Sequence, residues 1–240
     1  MAARCAAKRI FDVMVAREIE SKRQINEVAK INKMIVVSPD IANLMPSSFP
    51  KNNREKVIGI SVSHEIIRQW KSDESYYDCI TNLIHYIQKN MEINIMLIPN
   101  DIKYRKDFND ATVANNILSK IHIKSIIRLL DVSKISSTEL KREIGGCEIL
   151  VGSRYHSCVA SLSSIVPTLA IGWHHKYEEL LTIYGQKAWY ISNTNCSSHL
   201  LISKFESLWN NRNREKRIIK SNVDHVRNEI LNTARIMFAK

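Results

Sequence analysis

Two clusters of cations and imidazoles interrupt the apolar texture of this chain. In "ILVGSRYHSCVASL", residues 149–162, one apolar run ends at Gly152 and another begins at Val159, with Ser153, Arg154 and His156 between them. In "PTLAIGWHHKYEEL", residues 167–180, a further apolar run leads into His174, His175 and Lys176. Guanidinium, ammonium and imidazole groups held together can bind a small anion and move a proton. Each residue alone has a plainer reading. A histidine near a helix start caps or packs, a lysine is solvated, and Arg154 pairs with a nearby carboxylate. The coincidence of two clusters is what points to chemistry.

The elements that must position these clusters begin near residue 55. Apolar runs at 56–62, 93–99, 126–130, 147–152, 168–172 and 188–192 alternate with amphipathic segments at about 73–90, 109–121, 136–144, 155–164, 175–185 and 197–210. Continuous apolar strands alternating with helices predict an α/β fold, a Rossmann-like parallel sheet with helices on both faces. In the doubly wound order 3-2-1-4-5-6, ligands bind beyond the carboxyl ends of the strands, where helix N-termini favour anions. The two clusters follow the fourth and fifth strands, neighbours about 5 Å apart, and are expected to share one pocket. Ahead of this region the spacing of Ile10, Val13, Met14 and Arg17 predicts a helix over about 2–30, with Arg17 where an apolar residue is expected. A short strand at 34–38 and a linker through Pro46 and Pro50 follow. Ile219, Val223, Val226, Ile230, Ala234 and Met237 predict a last amphipathic helix over about 213–238.

Composition narrows the function. The 240 residues are 45% hydrophobic and 25% charged, enough for an ordinary core. The net charge is +11, from 35 Lys and Arg against 24 Asp and Glu. A nucleic-acid reader would cluster its cations with interleaved aromatics. Here they are spread out, with a denser run only at 210–220, so no nucleic-acid partner is expected and a small anionic substrate is. Cysteines at 5, 79, 147, 158 and 196 form no C-x-x-C pair and are odd in number. That argues against a short-spaced zinc site and a disulfide framework, and for a reducing cytoplasm. No apolar run reaches spanning length and no secretory leader is legible. The G-x-G-x-x-G fingerprint is absent after the first strand of the alternating region, so NAD is not expected. Asp101 in "PND" and Asp131 either cap turns or orient a sugar hydroxyl. His64, His85, His122, His199 and His225 read as structural or surface residues.

At the residues quoted above the sequence resembles the polysaccharide pyruvyl transferase family. The carriers are the R-x-H of Arg154 and His156 with its small-residue helix, the Val166-Pro167 strand entry, and Lys176 twenty residues after the histidine. Upstream, "VMVAREIESKRQI" (13–25), "VVSPDIANLMP" (36–46), "VIGISV" (57–62), "IMLIPND" (95–101) and "NDATVANNIL" (109–118) follow in the family's order. Asn100 departs from it, since relatives often carry a histidine there. The resemblance implies a GT-B-type architecture of two Rossmann-like domains. On that reading residues 1–54 are the end of an incomplete N-terminal domain with its linker, 55–212 the C-terminal domain, and 213–240 a crossover helix. It also implies transfer of a pyruvyl group from phosphoenolpyruvate to two hydroxyls of one sugar, as a ketal, in cell-surface polysaccharide synthesis. Arg17, Arg154 and Lys176 would bind the donor's anionic groups, with Ser153 and His175 beside them, and His156 would act as general acid. No metal and no further cofactor would be needed. The partners would be phosphoenolpyruvate and a glycan or lipid-linked sugar acceptor. The location would be cytoplasmic, with contact at the inner membrane face left open; the oligomeric state is not legible. Two alternatives stand beside this reading: a nucleotide-sugar glycosyltransferase of the same architecture, and a truncated non-catalytic remnant of the family.

Overall fold

The computed structural model describes residues 13–29, 34–46, 55–102, 109–122 and 126–238. Cys5, Ile10, Pro50 and the front of the helix expected over about 2–30 lie outside them. Within that expected helix, Val13–Ala16 is instead a strand, β1, and only Ile19–Ala29 is helical, α1. The β-branched Val13 and Val15 sit in a short apolar run whose periodicity serves either element. Pairing decides it: β1 runs parallel to Met34–Val37, β2, with Val13 opposite Met34 and Ala16 opposite Val37. Arg17 therefore stands at a strand end rather than on a helix stripe. A short 3-10 turn, Ile41–Leu44, follows β2 and is capped by Asp40, whose carboxylate accepts the Ala42 N–H.

The main sheet has the expected composition and order. Its strands are Val57–Ser61 (β3), Asn94–Ile98 (β4), Ile127–Leu129 (β5), Ile149–Gly152 (β6), Thr168–Gly172 (β7) and Tyr190–Ser192 (β8). All pair in parallel in the order β5-β4-β3-β6-β7-β8. The helices between them are His64–Arg68 (α2), Tyr76–Asn90 (α3), Asp110–Ser119 (α4), Ser137–Gly145 (α5), Tyr155–Leu162 (α6) and His175–Ile183 (α7). Every residue of β6 and β7 is buried, as a strand covered on both faces must be. Ile58, Ile60, Ile149, Val151, Leu169 and Ile171 point into the core under α3, while Leu150 and Ala170 point to the other face.

The sequence predicts two helices near the end, at about 197–210 and about 213–238. A single helix, Ser198–Phe238 (α8), spans both, about 60 Å at 1.5 Å per residue. Its inward stripe continues at spacings of three and four from Leu201, Phe205 and Leu208 through Arg212 and Glu215 to Ile219, Val223, Val226 and Ile230. The stripe looks broken in sequence because charged residues fill its middle. Glu215 is nevertheless buried, and Gln186 Nε2 donates to its Oε2 at 2.7 Å.

Two glycines set the strand tips. A Cβ on Gly152 would lie 2.7 Å from Cys158 Sγ, and one on Gly172 would lie 2.7 Å from ring atoms of both Tyr177 and Tyr190. Bare backbone at the ends of β6 and β7 lets α6 and α7 start hard against the sheet.

Candidate functional site

The tips of β1, β2, β6 and β7 converge. After β6, Ser153 is buried. Its N–H donates to Ser61 O at 2.8 Å, its Oγ accepts from Tyr76 Oη at 2.9 Å, and its carbonyl accepts from Tyr177 Oη at 3.0 Å. Ser153 thus lies buried beneath the site as a hydrogen-bonded support, not as a hydroxyl facing solvent. Arg154 is the N-cap of α6. Its Nε and Nη2 grip the two oxygens of Asp110 at 2.7 and 2.6 Å, and Nη2 lies 3.6 Å from Asp101. Asp110 has no exposed surface and also accepts the N–H groups of His64, Asn100 and Asp101. The structure gives Arg154 the carboxylate partner that the sequence left open, tying the tips of β3, β4 and β6 together.

One residue on, Tyr155 is a hub. Its ring centroid lies 4.5 Å from the Arg17 guanidinium, 5.4 Å from Lys176 Nζ, 5.5 Å from the His156 ring and 5.9 Å from the Tyr177 ring. Arg17, His156 and Lys176, from three strand tips, therefore gather around one buried aromatic ring. His156 and Lys176 occupy the same position, the second residue, of their respective helices.

Asp40, at the tip of β2, links two of the three. Its Oδ2 lies 3.3 Å from Arg17 Nη1 and 3.6 Å from His156 Nε2. Contact with His156 most of all, then the Ala42 N–H and Arg17, outweighs burial and holds the Asp40 carboxyl down at about 2. Asp40 is thus a carboxylate at any working pH and orients an imidazole whose side chain is 70% exposed. Arg17 has a second partner, donating from Nε to Glu18 at 2.6 Å.

Lys176 is different. Among the described residues no carboxylate lies within ion-pair distance of it. Three aromatic rings surround it instead, with Trp173 at 5.0 Å, Tyr155 at 5.4 Å and Tyr177 at 5.7 Å. Burial, then the positive charge of Arg17 and, less strongly, Arg154, lowers its pKa from the ordinary lysine value against the pull of Glu18. His174 caps α7, and its pKa is lowered by burial and then by His175 and Lys176. His175 stacks on His174 with centroids 3.9 Å apart, and its buried Nε2 lacks a hydrogen bond, with Glu179 4.0 Å away.

Helix capping sharpens the contrast. Ser63, Ser75, Asn109 and Ser136 cap α2, α3, α4 and α5 with side-chain acceptors. Arg154 supplies none to α6, which leaves first-turn N–H groups beside His156 uncapped. Cations around an uncapped helix start suit a compact anion. Two cavities flank the Asp40–His156 pair. One of about 320 Å³ is lined by Arg17, Glu18, Asp40, Tyr155, Glu179 and Glu229. The other, about 280 Å³, is lined by His156, Asn100, the largely buried Lys141 and apolar groups including Met45, Leu140 and Val159. Among the described residues no group of three His, Cys, Asp or Glu side chains is placed to hold a metal ion.

A sequence profile described as "Polysaccharide pyruvyl transferase" matches residues 2–175. The chain belongs to the polysaccharide pyruvyl transferase family. The matched span contains Arg17, Asp40, Asp110, Arg154 and His156, and ends one residue short of Lys176. Among solved structures, this family member resembles an α,α-trehalose-phosphate synthase (UDP-forming) from Burkholderia vietnamiensis, with TM-score 0.60 at 10% identity over 95% of this chain and 59% of that one. It also resembles the GtfA/B complex, with TM-score 0.55 at 12% identity over 98% of this chain and 47% of that one. A third likeness is to a ugt transferase from Siraitia grosvenorii in complex with UDP, with TM-score 0.53 at 9% identity over 94% and 54%. At such identities the likeness concerns the fold alone, that of GT-B glycosyltransferases. The family member spans about half the length of these chains.

Sequence reasoning missed Asp40, Asp110, Tyr155 and Trp173. For Asp40 a signal existed, a Pro-Asp pair closing an apolar strand within the segment that resembles the family. Asp110 read only as a helix-start residue, since nothing in spacing joins it to Arg154, 44 positions away.

Proposed function

We propose that this protein transfers the pyruvyl group of phosphoenolpyruvate onto two hydroxyls of a sugar, releasing phosphate and forming a ketal. The observation that carries the reading is the gathering of Arg17, His156 and Lys176 around Tyr155, in a chain of this family. Phosphoenolpyruvate is small and carries a phosphate and a carboxylate. Lys176, which among the described residues has no carboxylate partner, and Arg17 are suited to those groups, with the uncapped N–H groups of α6 as further donors. Arg154 serves by holding the strand tips through Asp110.

In the proposed reaction the His156 imidazolium gives its proton to the methylene carbon of the enol. The resulting oxocarbenium-like centre is attacked by the first sugar hydroxyl. Phosphate leaves with the electrons of its carbon–oxygen bond, and the second hydroxyl closes the ketal. The hydroxyls release two protons; one recharges His156 and the other leaves on phosphate. Asp40 keeps the imidazole oriented. General acid catalysis by a positioned group contributes about 10²–10⁴-fold. Four buried free cysteines support a reducing, cytoplasmic setting, and among the described residues no helix is long and apolar enough to cross a membrane.

The test is phosphate release from phosphoenolpyruvate with a panel of glycan acceptors. Acceptor-dependent release, reduced at least about a hundredfold by His156→Gln with unchanged melting, is expected. A folded wild type that releases none would favour a non-catalytic family remnant. Release of a nucleoside diphosphate from a nucleotide-sugar instead would favour a glycosyltransferase.

A further inference from the structure

The second half of α8 carries a surface that core packing does not use. Its inward stripe of Ile219, Val223, Val226 and Ile230 packs with residues of α6 and α7. On the outward side Arg214, Arg217 and Lys220 are exposed, and among the described residues they have no ion-pair partner. At 100° per residue they share an arc of about 120° with Leu231, Arg235 and Phe238 further along the same helix. Asp224 is the one carboxylate on that arc between 214 and 238. In the last two turns that arc carries the exposed Leu231 and Phe238, Phe238 by 80%, with the exposed Ile236 at its flank and Met237 on the side of the inward stripe.

We propose that this face of α8 docks on the surface of an anionic lipid bilayer, its cations among the headgroups and its apolar end at the headgroup–acyl boundary. A row of cations leading into exposed large apolar side chains matches that layered chemistry. A second copy of the chain fits less well, because a two-fold contact through this face would set its cations against their own kind. A nucleic acid would match the cations and leave Leu231 and Phe238 without a partner. Docking has a consequence for the site. Glu229, on the same stretch of α8, lines the cavity that holds Arg17 and Asp40. Glu229 stands about 60° round the helix from the edge of the docked arc, so docking would set the anion site on the flank nearest the membrane, towards an acceptor carried on a lipid. That last step rests on the acceptor proposed above; the docking itself does not.

The experiment is co-flotation of the full chain with vesicles of phosphatidylserine and phosphatidylcholine, against vesicles of phosphatidylcholine alone. Binding to the anionic vesicles only is expected. Combining Arg214→Gln, Arg217→Gln and Lys220→Gln should weaken it about tenfold or more. Phe238→Asp should remove the part that survives high salt. Neither change should alter melting or, where the chain is active, phosphate release with a soluble acceptor. No binding to anionic vesicles, or equal binding by the triple variant, would overturn the proposal. So would tighter binding to a DNA duplex than to vesicles, or a dimer that Phe238→Asp converts to monomer.

Discussion

Neighbouring strands β6 and β7 each end in a cation and a helix start, and the two tips treat their cations in opposite ways. At β6, Arg154 is locked to a carboxylate with no exposed surface, and three backbone N–H groups complete that carboxylate's bonding. At β7, Lys176 has aromatic faces for neighbours and, among the described residues, no carboxylate within reach. In the first arrangement the counter-charge is already in place. The second leaves positive charge in a partly desolvated place, raising its free energy until an anion arrives. Arg17 and His156 are intermediate, sharing Asp40. Position beyond a strand tip therefore does not make a cation a ligand-binding group; what the fold has already supplied as a counter-charge does.

The largest expected effect breaks the finished tip. Asp110→Ala strands Arg154 and three N–H groups, and should lower unfolding free energy by about 3–5 kcal/mol in denaturant titration. A loss below about 1 kcal/mol, the range of a surface pair, would mean that Arg154 is as free as Lys176 and the contrast is false. Next comes the shared carboxylate. Asp40 falls from its ordinary value of 3.8 to about 2 in the folded protein. Its stabilising contribution is therefore full above pH 4 and lost as pH falls toward 2. The wild type should lose about 1–2 kcal/mol more than Asp40→Asn over that window, followed by thermal melting at each pH. The same substitution should slow turnover about tenfold, the loss of one hydrogen bond to a charged group. The smallest effect runs the other way. A lysine whose pKa is lowered on folding costs stability while it is charged, below its folded pKa. Lys176→Met should accordingly raise stability at neutral pH by roughly 0.5–1 kcal/mol. Destabilisation instead would show that Lys176 has a counter-charge after all.

The main sheet was legible because strands buried on both faces write themselves as unbroken apolar runs. β7 begins and ends where the sequence placed it, at Thr168 and Gly172. α2 escaped notice because five residues, His64–Arg68, carry no readable period. β1 reads as helix in the sequence because a four-residue apolar run fits both periods until its partner strand is known. α8 was divided because Arg212 and Glu215 occupy its inward stripe, and only the fold reveals the Gln186 amide that receives Glu215. In the site, the rule of strand tips pointed to His156 and Lys176, and the break in an expected helix stripe pointed to Arg17; the fold brings all three around one ring. It also selected Ser153 and Arg154, which hydrogen bonds from Tyr76 and to Asp110 draw into the framework. Which cation keeps a partner depends on residues far apart in the chain, and spacing does not carry that.

The central claim is that Lys176 is held ready for the donor's negative charge. Titration calorimetry of phosphoenolpyruvate into the wild type and into Lys176→Met tests it directly. The account predicts measurable binding by the wild type, weakened at least about tenfold in a variant that melts no lower. Equal affinity in the two proteins, or no binding by a folded wild type, would contradict it.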